Sequence, residues 1–277
     1  MLSGPSESSD RNTRLPFWRR SDVSETMPEA MRQAPERLVE YLRESGYHSR
    51  SNKHSNALMR FIVDDLVREC ADVRYLASKG ELVFSVNHNV HFGNEAWNID
   101  LALGPPTGKR EPVPEGQIRE AKPSAIRIAI EGKAIMTKHQ GARKNRRRDI
   151  GAFRDYLENS VPDAVRGAVT ILNASPTFRS KVNSKVNVHP NISGIVETTV
   201  SIFRNVPLRN SNRPSGTVDA ISLIVVDFDG LNLEAAKLVT KKPAPLPGEP
   251  CSYDQFIQGI CDAFHRQFGA GRTGLGT

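Results

Sequence analysis

The sequence contains few cysteines, few aromatic residues and no long apolar segment. Its 277 residues include three cysteines and 6% aromatic residues. Cys70, Cys251 and Cys261 are too few and too scattered for a disulfide framework or a zinc-binding quartet. We expect Cys251 and Cys261 to be packing residues. No stretch approaches the roughly 18 consecutive apolar residues that span a membrane, so we expect no membrane partner.

The sequence also lacks a secretory leader and a phosphate-cradling glycine loop. Residues 1–28 are rich in Ser, Asp, Arg, Asn and Pro and contain no apolar segment, which predicts a disordered tail and no signal peptide. The glycine-rich stretch 269–274 follows no strand, so residues 269–277 are predicted to form a flexible tail. We therefore expect a reducing, cytoplasmic environment and no nucleotide cofactor.

The chain is basic, with a formal net charge of +7 and a pI of about 9.4. A basic balance favours an anionic partner, nucleic acid before a membrane surface. The excess charge is concentrated after residue 133, in a segment with a single acid, Asp149. An ordinary solvated helix face is the alternative. The side chains expected to contact DNA phosphates are Lys138, Arg143, Lys144, Arg146 and Arg147.

Apolar periodicity predicts helices towards both ends of the chain and strands between them. The predicted fold is α/β or α+β, with a mixed central β-sheet flanked by helices in one domain over residues 29–268. The predicted helices are Pro28–Gly46, Ser55–Glu69 with Ser55 as N-cap, a helix around residues 150–157, and Tyr253–Phe268. The predicted strands are 81–86, 97–103, 127–135, 168–172, 194–203 and 218–228, with a polar turn at 87–94 and a proline-rich loop at 104–123.

The strand 127–135 carries a carboxylate and an ammonium on one face. Side chains two residues apart leave a strand on the same side, so Glu131 and Lys133 should lie together. The alternate residues, such as Ile130 and Gly132, should pack on the opposite face. The preceding strand, 97–103, carries Asp100 at its centre. Two acids and a lysine on neighbouring strands form a constellation for metal-assisted hydrolysis.

Asp100 followed by Glu131-Gly132-Lys133 resembles the PD-(D/E)xK nuclease superfamily. The order of elements over about residues 55–172 is similar as well: an acidic helix, three strands, a helix and a further apolar strand. Ile99 stands where many members have proline. The resemblance implies a restriction-endonuclease-like core at 55–172, with the remaining strands, recognition loops and terminal helix at 173–268.

The chemistry of phosphodiester hydrolysis suits these residue types. Mg²⁺ prefers oxygen ligands and is often held by one or two carboxylates together with substrate phosphate. Asp100 and Glu131 are the expected metal ligands, and Lys133 the group that positions water or handles a proton. Asp65 and Glu69 on the preceding helix are the candidates for a third acid, although an exposed helix edge is favoured for both.

We therefore expect a Mg²⁺-dependent endonuclease acting on double-stranded DNA, similar to type II restriction enzymes and homodimeric. A structure-specific repair or recombination nuclease and a non-enzymatic nucleic-acid-binding protein are the alternatives. His88 and His91 lack matching zinc ligands and are expected to be exposed turn residues. Two polar loops are candidates for reading base edges, through Arg179, Lys181, Lys185, Arg204, Arg209 and Arg213.

Overall fold

The computed structural model describes residues 32–93, 95–179, 185–209 and 217–269. The chain divides into two units, and the second begins at residue 33. All described helices and strands belong to the second unit. The predicted disordered tail, 1–28, lies outside the described residues, as do residues 270–277 of the predicted flexible tail.

A seven-stranded mixed sheet forms the centre of the described fold, in the order β3-β1-β2-β4-β5-β8-β9. A separate two-stranded sheet pairs β6 with β7. The predicted mixed sheet is thereby confirmed. The strands are β1 Val83–Phe92, β2 Glu95–Gly104, β3 Arg119–Glu120, β4 Ile128–Ile135, β5 Val165–Asn173, β6 Thr177–Arg179, β7 Val186–Val188, β8 Ala220–Asp227 and β9 Lys237–Leu238.

Six α-helices cover the two faces of the sheet in the described part of the chain. The helices are α1 Ala34–Ser45, α2 Lys53–Glu69, α3 Ala71–Ser78, α4 His139–Ser160, α5 Ile192–Arg204 and α6 Tyr253–Phe268. Apolar residues of α1, α2, α3 and α6 form one core cluster with one face of the sheet. Those of α4 and α5 pack in clusters that contain the opposite face. No described helix combines the length and apolar character needed to cross a bilayer.

The centre of the sheet follows from the residue pattern of β4. Ile128 and Ile130 belong to the core cluster under α2 and α6, and Ala129 belongs to the cluster under α4. Strand β4 pairs antiparallel with β2 and parallel with β5, and β5 pairs parallel with β8. Both faces of this region are covered, which explains why β5 and β8 read as continuous apolar runs. The strands on either side of the predicted proline-rich loop 104–123, β2 and β4, are thus antiparallel neighbours.

The segment 194–203 is a helix, so its prediction as a strand is wrong. Its β-branched residues favour a strand locally, but Val196, Val200 and Phe203 recur at helical spacing and are buried together. The Asn191 side chain caps this helix by accepting a hydrogen bond from the Gly194 N–H, at 3.2 Å. Tertiary burial of one helical face therefore decides the local structure.

Several predicted boundaries also change. Strand β1 continues through the predicted turn to Phe92, so His88 is a buried strand residue and only His91 is exposed. Helix α1 begins at Ala34 and not at the predicted Pro28, which lies outside the described residues. Helix α2 begins after Asn52, so Ser55 is not its N-cap. The short helix α3, directly after Cys70, was not predicted.

Cys70 and Cys261 form a disulfide across the helical layer. Their Cα atoms are 5.2 Å apart although 191 positions separate them in the chain. The bond joins the end of α2 to α6, which pack on the same face of the sheet. The expectation that Cys261 merely fills space is therefore wrong, whereas Cys251 is a buried free thiol. Disulfides are rare in reducing compartments, so this bond counts against the expected reducing environment.

Candidate active site

The three predicted catalytic residues lie where β2 and β4 separate. The ladder between these strands pairs 101–103 with 128–130 and stops immediately before Asp100 and Glu131. Beyond it, the Asp100 Oδ2 atom accepts a hydrogen bond from the backbone N–H of Gly132, at 2.7 Å. The Asp100 carboxylate thus accepts a hydrogen bond that a backbone carbonyl of β2 would accept if the ladder continued. Asp100 bonds the backbone of the residue between Glu131 and Lys133, and this brings the predicted set together.

Along the β1–β2 hairpin, the side of the sheet on which a given set of alternate side chains lies changes at the level of Asp100. Asn87, which would pair with Asp100, is missing from the ladder and has a positive φ of 51°. Its side chain donates to the Asn56 side chain on α2, at 2.8 Å. On the partner strand, Leu101 packs under α2, but Ile99, two residues away, packs under α4. Regular alternation would place both on one side. The irregularity frees Asp100 from the ladder and lets it reach β4.

Glu131 and Lys133 form an ion pair on the same side of β4, as predicted. The lysine ammonium contacts Oε1 of the glutamate, and its side chain retains 21% exposure. Glu131 is only 3% exposed. Its second oxygen, Oε2, is buried and has no hydrogen-bond partner. A buried carboxylate oxygen without a partner is costly and rare in proteins, so this atom marks a place where a further ligand fits.

Burial shifts the pKa of both acids upwards. Loss of solvation raises the pKa of Glu131 to about 7, the nearby charge of Asp100 raises it further, and Lys133 opposes the change. Burial likewise raises the pKa of Asp100, while the Gly132 N–H and Lys133 lower it. The two carboxylates therefore repel each other, and a cation between them would relieve that repulsion.

A cavity of about 240 Å³ opens beside these residues. Asp100, Gly132 and Lys133 line one side of it, and the first turn of α2 lines another. A Cβ at position 132 would lie 2.6 Å from the terminal methyl group of Met59, which would have to move, and 3.4 Å from Asp100 Oδ2. The cavity is small and polar, with several hydroxyl and amide groups in its wall.

The cavity also contains residues that the sequence did not single out. His54, on the first turn of α2, is 9% exposed, and its ring lies 4.5 Å from that of Tyr47, centroid to centroid. Both residues line the cavity together with Ser55. The sequence hint was a polar stretch leading into the helix, which we expected to be a plain turn. Nothing local showed that this turn faces the acids.

Neither of the two helix acids lies in the lining of the cavity. Asp65 is fully buried and accepts hydrogen bonds from the Ala34 backbone N–H at 2.8 Å and from the Tyr253 hydroxyl at 2.6 Å. Glu69 is exposed and pairs with Arg68. The expectation of an exposed helix edge is confirmed for Glu69 and wrong for Asp65. The described residues contain no cluster of three or more His, Cys, Asp or Glu side chains suited to a metal.

Asp65→Ala is expected to destabilise the protein by about 3–5 kcal/mol, because the change leaves buried donors unpaired and removes the partner of Arg68. Urea unfolding measures this loss. Glu69→Ala on the same helix is the matched control, with a change of about 1 kcal/mol or less for an exposed pair. A stable Asp65→Ala protein that has lost affinity for Mg²⁺ would contradict a structural role for Asp65.

The basic segment becomes the N-terminal half of α4. Arg146 lines the cavity and donates to Asp149 at 2.8 Å. Arg143 is half-buried, and its Nε atom is buried without a partner. The predicted phosphate contacts that are exposed are Lys138, Lys144 and Arg147. Arg146 is thus the member of the predicted set that lines the cavity, and the exposed members lie at the start of α4 and in its N-terminal half.

Two of the arginines predicted to read base edges make contacts within the protein instead. Arg209 donates to both oxygens of Asp219, at 3.1 and 2.8 Å, and to two backbone carbonyls. Arg204 pairs with Glu249. These internal contacts occupy the guanidinium groups that base reading requires. Arg179 and Lys185 are exposed, whereas Lys181 and Arg213 lie outside the described residues.

Comparisons with models of protein families, with curated proteins and with solved structures find no match for this chain.

Proposed function

We propose that the protein is a Mg²⁺-dependent endonuclease that hydrolyses phosphodiester bonds of double-stranded DNA. The observation that carries the proposal is the meeting of Asp100, Glu131 and Lys133 around Gly132, where β2 and β4 part. The resemblance of these residues to the PD-(D/E)xK pattern favours a restriction-endonuclease-like core and a sequence-specific, type II activity.

The residues present fit a Mg²⁺ ion. Asp100 and Glu131 offer only oxygen ligands, which this ion prefers, and two carboxylates are enough when water and phosphate complete the shell. The Oε2 atom of Glu131 is buried and makes no hydrogen bond of ordinary geometry, although the Trp97 side chain lies close enough to lower the pKa of this carboxyl, so the atom provides an acceptor for the ion. When bound, the ion would neutralise charge on the phosphate and lower the pKa of a coordinated water.

The protein's own groups would divide the remaining tasks. The hydrogen bond from the Gly132 N–H holds the Asp100 carboxylate in place. The other oxygen of this carboxylate would then be fixed as a ligand for the ion. Lys133, which is paired with Glu131, would orient the water and stabilise negative charge on the phosphate. Arg146 would hold a non-bridging phosphate oxygen at the wall of the cavity, because a guanidinium can donate several hydrogen bonds.

The surroundings of the site agree with a DNA substrate. The exposed basic residues of α4 continue outward from Arg146 and would contact neighbouring phosphates, which position a duplex without reading its sequence. One such site per chain cuts one strand, so we propose a homodimer for cutting both. We propose the cytoplasm as the compartment because the proposed substrate is intracellular DNA, and in that compartment Cys70 and Cys261 would be expected as thiols.

Incubation with supercoiled plasmid and Mg²⁺ tests the proposal. Wild-type protein should convert the plasmid to discrete linear bands. Asp100→Asn and Lys133→Met should lower the rate by at least about a hundredfold, because the first removes a charged ligand of the metal ion and the second removes the amine that would contact the reacting phosphate. Glu115→Ala, an exposed acid outside the cavity lining, is the control and should cleave like wild type.

The pattern of products separates the alternatives. Discrete bands favour the type II reading, whereas a smear or a preference for branched DNA favours a repair or recombination nuclease. Absence of cleavage by the wild type in Mg²⁺ and Mn²⁺, with salt-sensitive binding to duplex DNA retained, would refute the enzyme and leave a nucleic-acid-binding protein.

A further inference from the structure

The pairing of Lys133 raises the question of which group accepts the proton of the attacking water. The Lys133 side chain is engaged with the Glu131 carboxylate and the Arg146 side chain with Asp149, so neither offers a free acceptor for that proton. Asp100 is assigned to the metal in the proposed function. The base must therefore come from elsewhere in the cavity wall.

His54 has the chemistry and the position for this task. Its side chain is about nine-tenths buried and lines the same cavity as Asp100 and Lys133. Its ring packs on Tyr47, yet neither ring nitrogen makes a hydrogen bond to the described residues. Neither nitrogen is among the polar atoms sealed away from solvent. A lone pair is thus available to a water molecule inside the cavity.

We propose that His54 is a further catalytic residue, the general base that takes the proton from the water attacking the phosphate. The inference rests on the proposed nuclease function. In the step, the water oxygen forms a bond to phosphorus while one of its protons passes to the free ring nitrogen of His54. The bond between phosphorus and the leaving oxygen breaks, its electron pair stays on that oxygen, and solvent supplies the proton that neutralises it. The imidazolium then returns its proton to solvent.

The groups that face His54 keep its ring neutral before the reaction. Burial lowers the pKa of His54, so the unprotonated form prevails at neutral pH. Tyr47 stays a phenol, because burial raises its pKa more than the nearby Arg146 lowers it. The other titratable groups of the cavity wall are Asp100 on β2, Lys133 on β4 and Arg146 on α4. The neutral imidazole has a nitrogen lone pair that can accept one proton.

The test compares His54→Gln, His54→Asn and His54→Gly in single-turnover cleavage of plasmid with Mg²⁺. General-base catalysis is worth about 10²–10⁴-fold, so each variant should cleave at least about a hundredfold more slowly while binding duplex DNA as tightly as wild type. Added imidazole should restore cleavage by His54→Gly in proportion to its neutral form. His91→Gln, an exposed histidine on β1 outside the cavity, is the control and should not respond to imidazole.

The outcomes separate this proposal from the proposed function. If Asp100→Asn is inactive but His54→Gln cleaves at the wild-type rate, the nuclease stands and the base is not His54. A loss of rate in the His54 variants that imidazole does not restore would assign His54 a packing role and overturn the proposal. If wild-type protein cleaves no DNA, the nuclease function itself fails, and the role of His54 fails with it.

Discussion

Replacement of Glu131 by glutamine is expected to lower the rate of DNA cleavage by about a thousandfold and to leave the metal-free protein at least as stable as wild type. The Glu131 carboxylate would help to bind a cation, and such a cation lowers the energy of the charged transition state by several kcal/mol. Loss of about 4 kcal/mol of that stabilisation corresponds to about a thousandfold in rate. The amide keeps the shape of the side chain, so the change is electrostatic.

The stability of the variant follows from the burial of Glu131. In the metal-free fold, the pKa of this carboxyl rises from its ordinary 4.5 to about 7. Ionising it at pH 8 therefore costs roughly 3 kcal/mol relative to the unfolded chain. Glutamine has no charge to bury, and its oxygen can still accept a hydrogen bond from Lys133. A residue that lowers stability while supporting activity is typical of a functional site.

Urea unfolding in EDTA at pH 8 and single-turnover cleavage in Mg²⁺ measure the two effects on one preparation. Glu120→Gln provides a matched control, since this exposed acid pairs with Arg60 outside the cavity lining. The control should cleave normally and change in stability by less than about 1 kcal/mol. A Glu131→Gln protein that cleaves DNA at the wild-type rate would show that the buried carboxylate is not part of the chemistry.

The sequence predicted best where local pattern and tertiary burial agree. Alternation along 127–135 gave both the apolar face under α2 and the pairing of Glu131 with Lys133, because a strand offers only two sides. The terminal helix was predicted from Tyr253 to Phe268, its observed bounds, since one apolar stripe packs against the sheet. In both cases the residues that form the element also show which face is buried.

Prediction failed where distant parts of the chain decide. Residues 194–203 contain β-branched side chains that favour a strand locally, and only their burial against β8 and neighbouring elements makes them a helix. Asp65 read as an exposed acid, but its partners Ala34 and Tyr253 lie far away in sequence. The disulfide between Cys70 and Cys261 likewise depends on how two helices pack.

The site itself was only half predictable. Asp100, Glu131 and Lys133 follow from residue type and strand order. The local sequence does not indicate the positive φ of Asn87 or the resulting break in the ladder, because a polar run can form either a strand or a turn. His54 joins the cavity only because α2 crosses the end of β4. The wall of a cavity is built from several elements, and the residue pattern of one strand does not show which other elements will lie beside it.

The metal-free protein is expected to lose stability as the pH rises through about 7, and a divalent cation should reverse this loss. Glu131 has a higher pKa folded than unfolded, so its contribution is fully present below about pH 4.5 and disappears as the pH passes about 7. The pKa of Asp100 is raised as well, by burial. Metal binding requires both carboxylates to be unprotonated.

Thermal unfolding between pH 5.5 and 8.5, in EDTA and in Mn²⁺ or Mg²⁺, tests this linkage. The rise in Tm caused by the metal should be larger at pH 8 than at pH 6, because protons compete for Glu131 and weaken the apparent affinity by up to about tenfold per pH unit. Glu131→Gln separates this site from every other titrating group, since it should lose both the pH-dependent destabilisation and most of the metal effect. An equal metal effect in wild type and variant would place the cation elsewhere. If the metal effect is confined to the wild type and grows with pH, the same two carboxylates that weaken the empty fold are the ones that hold the ion.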